Sequence, residues 1–217
     1  MNSSLSFNPD QIIAKYLSAE SLDRYFELLM AENWKVNLVS RETSRSDFDR
    51  LAAESLLPLD VLGGSFGRYL DIGAGGGFPA VPLMLAGVVG SEAVLVERTG
   101  KKIAALERIV EDLGLSGGDR AVRLLNTTFE DIPIEPRYDL ITMRYVKLTL
   151  QLLKRILGSL ANSGVFLYYS TPEFTLNSPQ DSSTPDSTSG IKVETHTYSS
   201  SQDQVTKSFT IFRKTRN

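Results

Sequence analysis

The chain has no cysteine and one histidine in 217 residues. Disulfide frameworks, thiolate nucleophiles and cysteine-based zinc sites are therefore excluded, and a reducing compartment suits the composition. His196 stands alone in the polar stretch VETHTYSS, where a solvent-facing strand position is expected rather than a catalytic base, and no metal site is expected. Long apolar runs are also missing. The longest, Phe78 to Val89, is interrupted by prolines and falls short of the ~18 residues that a membrane-spanning helix needs. The opening MNSSLSFNPD has neither the basic flank nor the apolar stretch of a secretion signal, so a cytoplasmic protein without membrane association is expected. A large excess of either charge is missing as well. A net charge of −3 gives no global pull toward nucleic acid, so an RNA partner would have to be met by a local basic face.

What is present points to an ordered α/β protein. With 41% hydrophobic and 23% charged residues, the chain can bury a core without staples. Asn8 or Asp10 can cap a helix from Gln11 to Met30 with one apolar face, and a second helix from Ser46 to Leu57 stops near Pro58. From Tyr69 the pattern changes to short apolar runs alternating with helical segments, the mark of βαβ units and a parallel sheet. Strands are predicted at Tyr69–Ile72, Ala93–Val96, Val122–Leu125, Leu140–Met143 and Gly164–Tyr169, with helices at Pro79–Ala86, Lys101–Leu113 and Leu148–Leu160. Two further alternating runs, Ile191–Tyr198 and Val205–Arg213, suit an antiparallel edge pair. The predicted organisation is an N-terminal helical extension over 1–64 and a Rossmann-like domain over 65–217, with a mobile loop, rich in Ser, Thr, Pro and Asp, over 171–190. Five parallel strands and a terminal hairpin form the plan of class I methyltransferases.

The densest signal is YLDIGAGGGFPAVPLML, residues 69 to 85. In a parallel sheet, ligands bind beyond the carboxyl ends of the strands, and the first βα turn floors the site. Gly73, Gly75, Gly76 and Gly77 permit positive φ and close approach of backbone N–H groups to a ligand. Asp71 before them would repel a pyrophosphate and favour the ammonium of S-adenosylmethionine, while Glu97, closing the next strand in VLVER, can accept both ribose hydroxyls. A nicotinamide dinucleotide or a purely structural turn are the alternatives.

The wider stretch resembles the bacterial RsmG (GidB) family, which makes 7-methylguanosine in 16S ribosomal RNA. The likeness rests on GRYLDIGAGGGFPAVPLML with VERTGKKIAALE, TTFEDIP and TMRYV downstream, and NWKVNLVS and ESL upstream. It implies that Gly73 and Phe78 contact S-adenosylmethionine, that Glu97 binds its ribose, and that Phe129 and Glu130 bracket its adenine. Arg144 is implied beside both cofactor and substrate, Asn37 near the pocket mouth, and Lys101 and Lys102 match the family's basic pair. Arg144 and Asn37 are thus the catalytic candidates; Asp71, Gly73, Gly75, Gly77, Phe78, Glu97, Phe129, Glu130 and Arg144 are the cofactor candidates. Four positions depart from the family: Leu51 where it carries a histidine, Thr128 in place of an arginine, and Ser170 with Thr171 in place of a Lys-Gly pair. Fewer rim cations weaken attraction to phosphate, and Arg41, Arg45, Arg50 and Lys147 are the candidate replacements. The expected function is methylation of guanine N7 in small-subunit ribosomal RNA by a monomer. A same-fold enzyme with another RNA or small-molecule substrate, or a non-catalytic cofactor-binding module, are the competing readings.

Overall fold

The computed structural model describes residues 2–118, 120–135, 137–170, 190–200 and 205–215. Nearly all of the expected loop over 171–190 lies outside these residues. The elements run β1 (Asn2–Phe7), α1 (Pro9–Tyr16), α2 (Ala19–Asn33), α3 (Arg45–Leu56), α4 (Leu59–Leu62), β2 (Phe66–Ile72), α5 (Ala80–Leu85), β3 (Val89–Val96), α6 (Gly100–Asp112) and β4 (Ala121–Leu125). A short 3-10 turn (Phe129–Asp131), β5 (Tyr138–Arg144), α7 (Leu150–Ser159), β6 (Leu160–Ser170), β7 (Ile191–Ser200) and β8 (Thr206–Lys214) complete the chain. Among the described residues one sheet has the order β1-β7-β8-β6-β5-β2-β3-β4. The strands from β6 to β4 are parallel, and β8 runs antiparallel to both β6 and β7.

Strand order reverses at β2. The chain moves from β2 outward to β3 and β4, then returns to place β5 and β6 on the other side. The carboxyl ends of β2 and β5 splay their following loops apart there, which is where a doubly wound sheet opens a crevice. Leu70, Ile141 and Phe166 pack one face of the sheet with α7 residues such as Ile156. Tyr69, Leu95 and Leu167 pack the other, in one cluster with Tyr25, Leu29, Phe48 and Leu56 from the N-terminal helices.

Three sequence expectations change. The single helix over 11–30 is two, because Leu17 is extended (φ −126°, ψ 149°) and Ser18 caps a new helix by accepting the Ser21 amide N–H. The N-terminal segment is not wholly helical: Asn2–Phe7 adds a strand parallel to β7. A segment of serines with only Leu5 and Phe7 as large apolar residues carries little strand signal, and it is the exposed side of β7 that recruits it. β7 is consequently an interior strand, and His196 is buried (9% exposed) with its ring stacked on Phe209 at 5.1 Å. Burial lowers its pKa, since the charged imidazolium loses more from desolvation than the neutral ring.

Candidate functional site

The glycine turn is built largely around the protein's own atoms. At Gly77 (φ +96°), a Cβ would meet Val81 Cγ2 at 2.7 Å, Tyr25 Oη at 3.0 Å and Leu106 Cδ1 at 3.1 Å. At Gly73 (φ +78°) it would strike Val146 Cγ2 at 2.5 Å, and at Gly76 it would crowd the Leu38 carbonyl at 3.2 Å. Gly75 differs, with no atom nearer than the Gly73 carbonyl at 3.8 Å. Most of the missing side chains therefore make room for neighbouring helices and loops, and Gly75 leaves its space to the crevice. Tyr25 fixes the arrangement by donating its buried hydroxyl to the Gly76 carbonyl at 2.8 Å, which ties α2 to the turn.

Beyond the turn lies an open cleft of about 1240 Å³, walled by Gly73 to Gly76, Phe78, Glu97, Phe129, Glu130 and Arg144. Gly77, Asp71 and Asn37 are not among its lining residues. Glu97, at the end of β3, accepts the Gly75 N–H at 3.2 Å through Oε2 and the Thr99 N–H at 2.9 Å through Oε1. Each carboxylate oxygen has a second lone pair, so these backbone bonds orient the group and leave acceptor capacity toward the cleft. Phe129 is buried and carries the Arg155 guanidinium 5.6 Å from its ring centroid, whereas Glu130 is exposed at the rim. Phe78 is seated by Tyr25 and Phe48, with centroids 5.4 and 5.7 Å away.

Asp71 faces the other way. Its Oδ1 accepts the Thr142 hydroxyl at 2.6 Å, Thr142 in turn meets Tyr69 Oη at 2.7 Å, and Oδ2 has no partner among the described residues. Burial raises its pKa to about 7, against the Thr142 bond and the Arg144 charge, which lower it, and with Glu97 adding a further upward push. Strand alternation explains the direction: Leu70 and Ile72 share one face of β2, and Tyr69 and Asp71 the other. An acid beside the turn in sequence is thus turned into the core, away from the cleft lining.

Arg144, at the end of β5, is 5% exposed and heavily engaged. Nη1 donates to the Leu51 carbonyl and Ser55 Oγ, both at 3.1 Å, and Nη2 donates to Glu54 Oε2 at 2.5 Å and Tyr145 Oη at 3.3 Å. Glu54 also receives Lys207 from β8. The ESL segment of α3 is therefore the docking partner of Arg144, a role invisible in the linear sequence. With four donors in use, Arg144 positions the cleft wall more than it reads a ligand.

Asn37 is exposed, accepting Arg41 Nε at 3.0 Å. The residue that shapes this wall is Asn33, which sequence reasoning passed over. It is buried at the end of α2, accepts the Leu38 and Val39 amides at 2.8 and 3.0 Å, and donates to the Ser40 carbonyl at 3.3 Å. An asparagine closing a helix before a short polar loop is the signal that could have marked it. Of the candidate replacement cations, Arg50 and Lys147 line the cleft, together with Arg98 and Lys102. Arg45 instead pairs with Asp23 and Asp49 at 2.6 and 2.8 Å, away from the lining.

Comparison with known proteins agrees with this architecture. N-methyltransferase NodS from Bradyrhizobium japonicum superposes with a TM-score of 0.53 at 15% identity, covering 76% of this chain and 94% of that one. The tRNA (m1A58) methyltransferase TrmI from Aquifex aeolicus does so at 0.52 and 17%, covering 76% and 69%. At such identities the likeness concerns the fold alone. Sequence relatives named ribosomal RNA small subunit methyltransferase G are more similar: 30% identity to that of Magnetococcus marinus over 75% of this chain and 73% of the relative, and 41% to that of Chlorobaculum tepidum over 43% of each. The family model for GidB, rRNA small subunit methyltransferase G, matches residues 18–205, from the cap of α2 to the residue before β8, and the chain belongs to that family.

Proposed function

We propose that the protein transfers a methyl group from S-adenosylmethionine to guanine N7 in the 16S RNA of the small ribosomal subunit. The observation that carries this reading is the placement of Glu97 in the cleft, its carboxylate oriented by the Gly75 and Thr99 amides, in a chain of the GidB family. The residues fit the cofactor. Gly75 offers backbone with open space beside it, Glu97 retains lone pairs for two ribose hydroxyls, and Phe129 offers an apolar wall for adenine. Ligand pockets usually hold ~300–1,000 Å³, so a cleft of about 1240 Å³ accommodates a nucleoside and a second base beside it. Among the described residues no group of three His, Asp or Glu side chains could hold a metal ion, and no helix is long and apolar enough to cross a membrane.

When bound, S-adenosylmethionine supplies a methyl group already activated by its sulfonium. Guanine N7 presents an exposed lone pair, so no proton has to leave before attack, and the protein's task is alignment. Arg144 holds the wall formed by β5 against α3. Arg50, Arg98, Lys102 and Lys147 bring cations to a cleft that Glu42, Asp47, Glu97 and Glu130 also line, with Arg50 paired to Asp47 at 3.1 Å, and such cations suit phosphate contacts. A purine must be unpaired or flipped to reach this depth.

The test is a mass-spectrometric inventory of modified nucleosides in ribosomal RNA from cells with and without the gene, paired with labelled-methyl transfer by the purified protein to 16S RNA and to small subunits. The expected result is loss of one 7-methylguanosine in the deletion strain and its restoration in vitro. An unchanged inventory together with no transfer to either RNA substrate overturns the reading.

A further inference from the structure

Tyr145 immediately follows β5 and lines the cleft. It combines two unfavourable features. Its φ is +57°, a left-handed conformation that an aromatic side chain rarely adopts, and the residue is 79% exposed although its ring is large and apolar. Such outliers persist where surrounding structure over-determines them, and they concentrate at ligand sites.

The surroundings here do so from both chain directions. On one side, Arg144 donates to the Tyr145 hydroxyl at 3.3 Å and sets its guanidinium carbon 4.9 Å from the ring centroid. Arg144 is itself immobilised by Glu54, Ser55 and the Leu51 carbonyl, and lies 5.4 Å from the Tyr169 ring. On the other side, Val146 is lodged where a Gly73 side chain would be. The ring is thus held in place without being buried. A pre-set aromatic surface in a cleft has one obvious class of partner, another flat π system.

We propose that Tyr145 is the stacking platform for the RNA base brought to the cleft, an unpaired purine lying on the face of the ring turned away from Arg144. This rests on the reading of the cleft as an RNA methylation site. Stacking tolerates any base, so Tyr145 supplies position and affinity rather than base identity, and the neighbouring Lys147 is placed for the phosphate of the same nucleotide. Holding the ring before the base arrives removes an ordering cost at the moment of binding.

The experiment compares Tyr145→Ala and Tyr145→Phe with the unaltered protein in methyl transfer to ribosomal RNA. It also measures S-adenosylmethionine binding by calorimetry, thermal unfolding, and fluorescence of an RNA oligonucleotide carrying a fluorescent guanine analogue. Base–aromatic stacking of ~1–3 kcal/mol corresponds to a loss of about 5- to 150-fold in kcat/KM for RNA in Tyr145→Ala. Tyr145→Phe is expected to keep most activity, cofactor affinity to stay unchanged in both, and analogue quenching to vanish only in Tyr145→Ala. Thermal stability is expected to stay close to that of the unaltered protein in both variants, since the Cβ that is strained at this φ is common to Tyr, Phe and Ala and the ring is exposed. If Tyr145→Ala matches the unaltered protein, or Tyr145→Phe falls as far as Tyr145→Ala, the stacking role is wrong while RNA methylation stands. If the unaltered protein methylates no RNA, the reading of the cleft fails first and the role of Tyr145 with it.

Discussion

Truncating Glu54 to alanine removes the carboxylate that joins α3 to both β5 and β8. Its side chain is 2% exposed and that of Arg144 4%, whereas Lys207 is 31% exposed. Arg144 would keep the Leu51 carbonyl and Ser55 Oγ but lose its counter-charge, and a buried guanidinium left so costs about 3–5 kcal/mol. Lys207 can turn toward water, so its share is about 0–1 kcal/mol. For a protein of this size the total of about 3–6 kcal/mol corresponds to a fall in Tm of roughly 6–24 °C. Equilibrium urea unfolding of Glu54→Ala, Glu54→Met, Arg144→Met, Lys207→Met and the pair Glu54→Met with Arg144→Met measures the terms. The pair is expected to cost less than the sum of its single changes, because an apolar replacement strands no charge. A loss below ~1 kcal/mol in Glu54→Ala, or strict additivity in the cycle, would refute the view that this ion pair locks the cleft wall.

Asp71 provides a pH-dependent test. Its pKa is about 7 in the folded chain against an ordinary 3.8, so its contribution is fully present below about pH 4 and is lost as pH rises through 7. The difference amounts to roughly 4 kcal/mol. Asp71→Asn should flatten this slope and gain relative stability at pH 8, and an identical pH profile of unfolding for both proteins would contradict it. Gly77→Ala should cost about 2–3 kcal/mol through overpacking against Val81, Tyr25 and Leu106. Gly75→Ala, with open space around its Cβ, should cost about 1 kcal/mol from its positive φ and act chiefly on cofactor affinity; denaturation and calorimetry on both variants separate the two. If Glu97 holds the ribose as proposed, Glu97→Ala should weaken S-adenosylmethionine binding by roughly 10- to 100-fold, with calorimetry as the readout and unchanged affinity as the contrary result.

Much of the sheet is readable in the chain because its signals are local. Apolar runs such as Leu140–Met143 alternate with helical segments, and capping residues such as Ser44, whose hydroxyl accepts the Asp47 amide, mark where helices begin. The break between α1 and α2 was missed because the apolar spacing continues across it, while a single extended residue, Leu17, decides the matter. β1 was missed because its partner, β7, lies almost the whole chain away.

For the site, the sequence alone determined that a glycine turn closes a buried strand, that an acid ends the next one, and that both belong to a GidB-like pattern. These are properties of neighbours along the backbone, where turn chemistry and strand period act. Only tertiary structure decided which way each group faces. It set Asp71 into the core and Glu97 into the cleft, filled the space at Gly77 with Val81 and Leu106 while leaving Gly75 open, and bound Arg144 to Ser55 across 89 positions. Such choices follow from which surfaces meet when the helices dock on the sheet, and burial there fixes a side chain's partners, its charge state and its reach in a way that spacing along the chain does not encode.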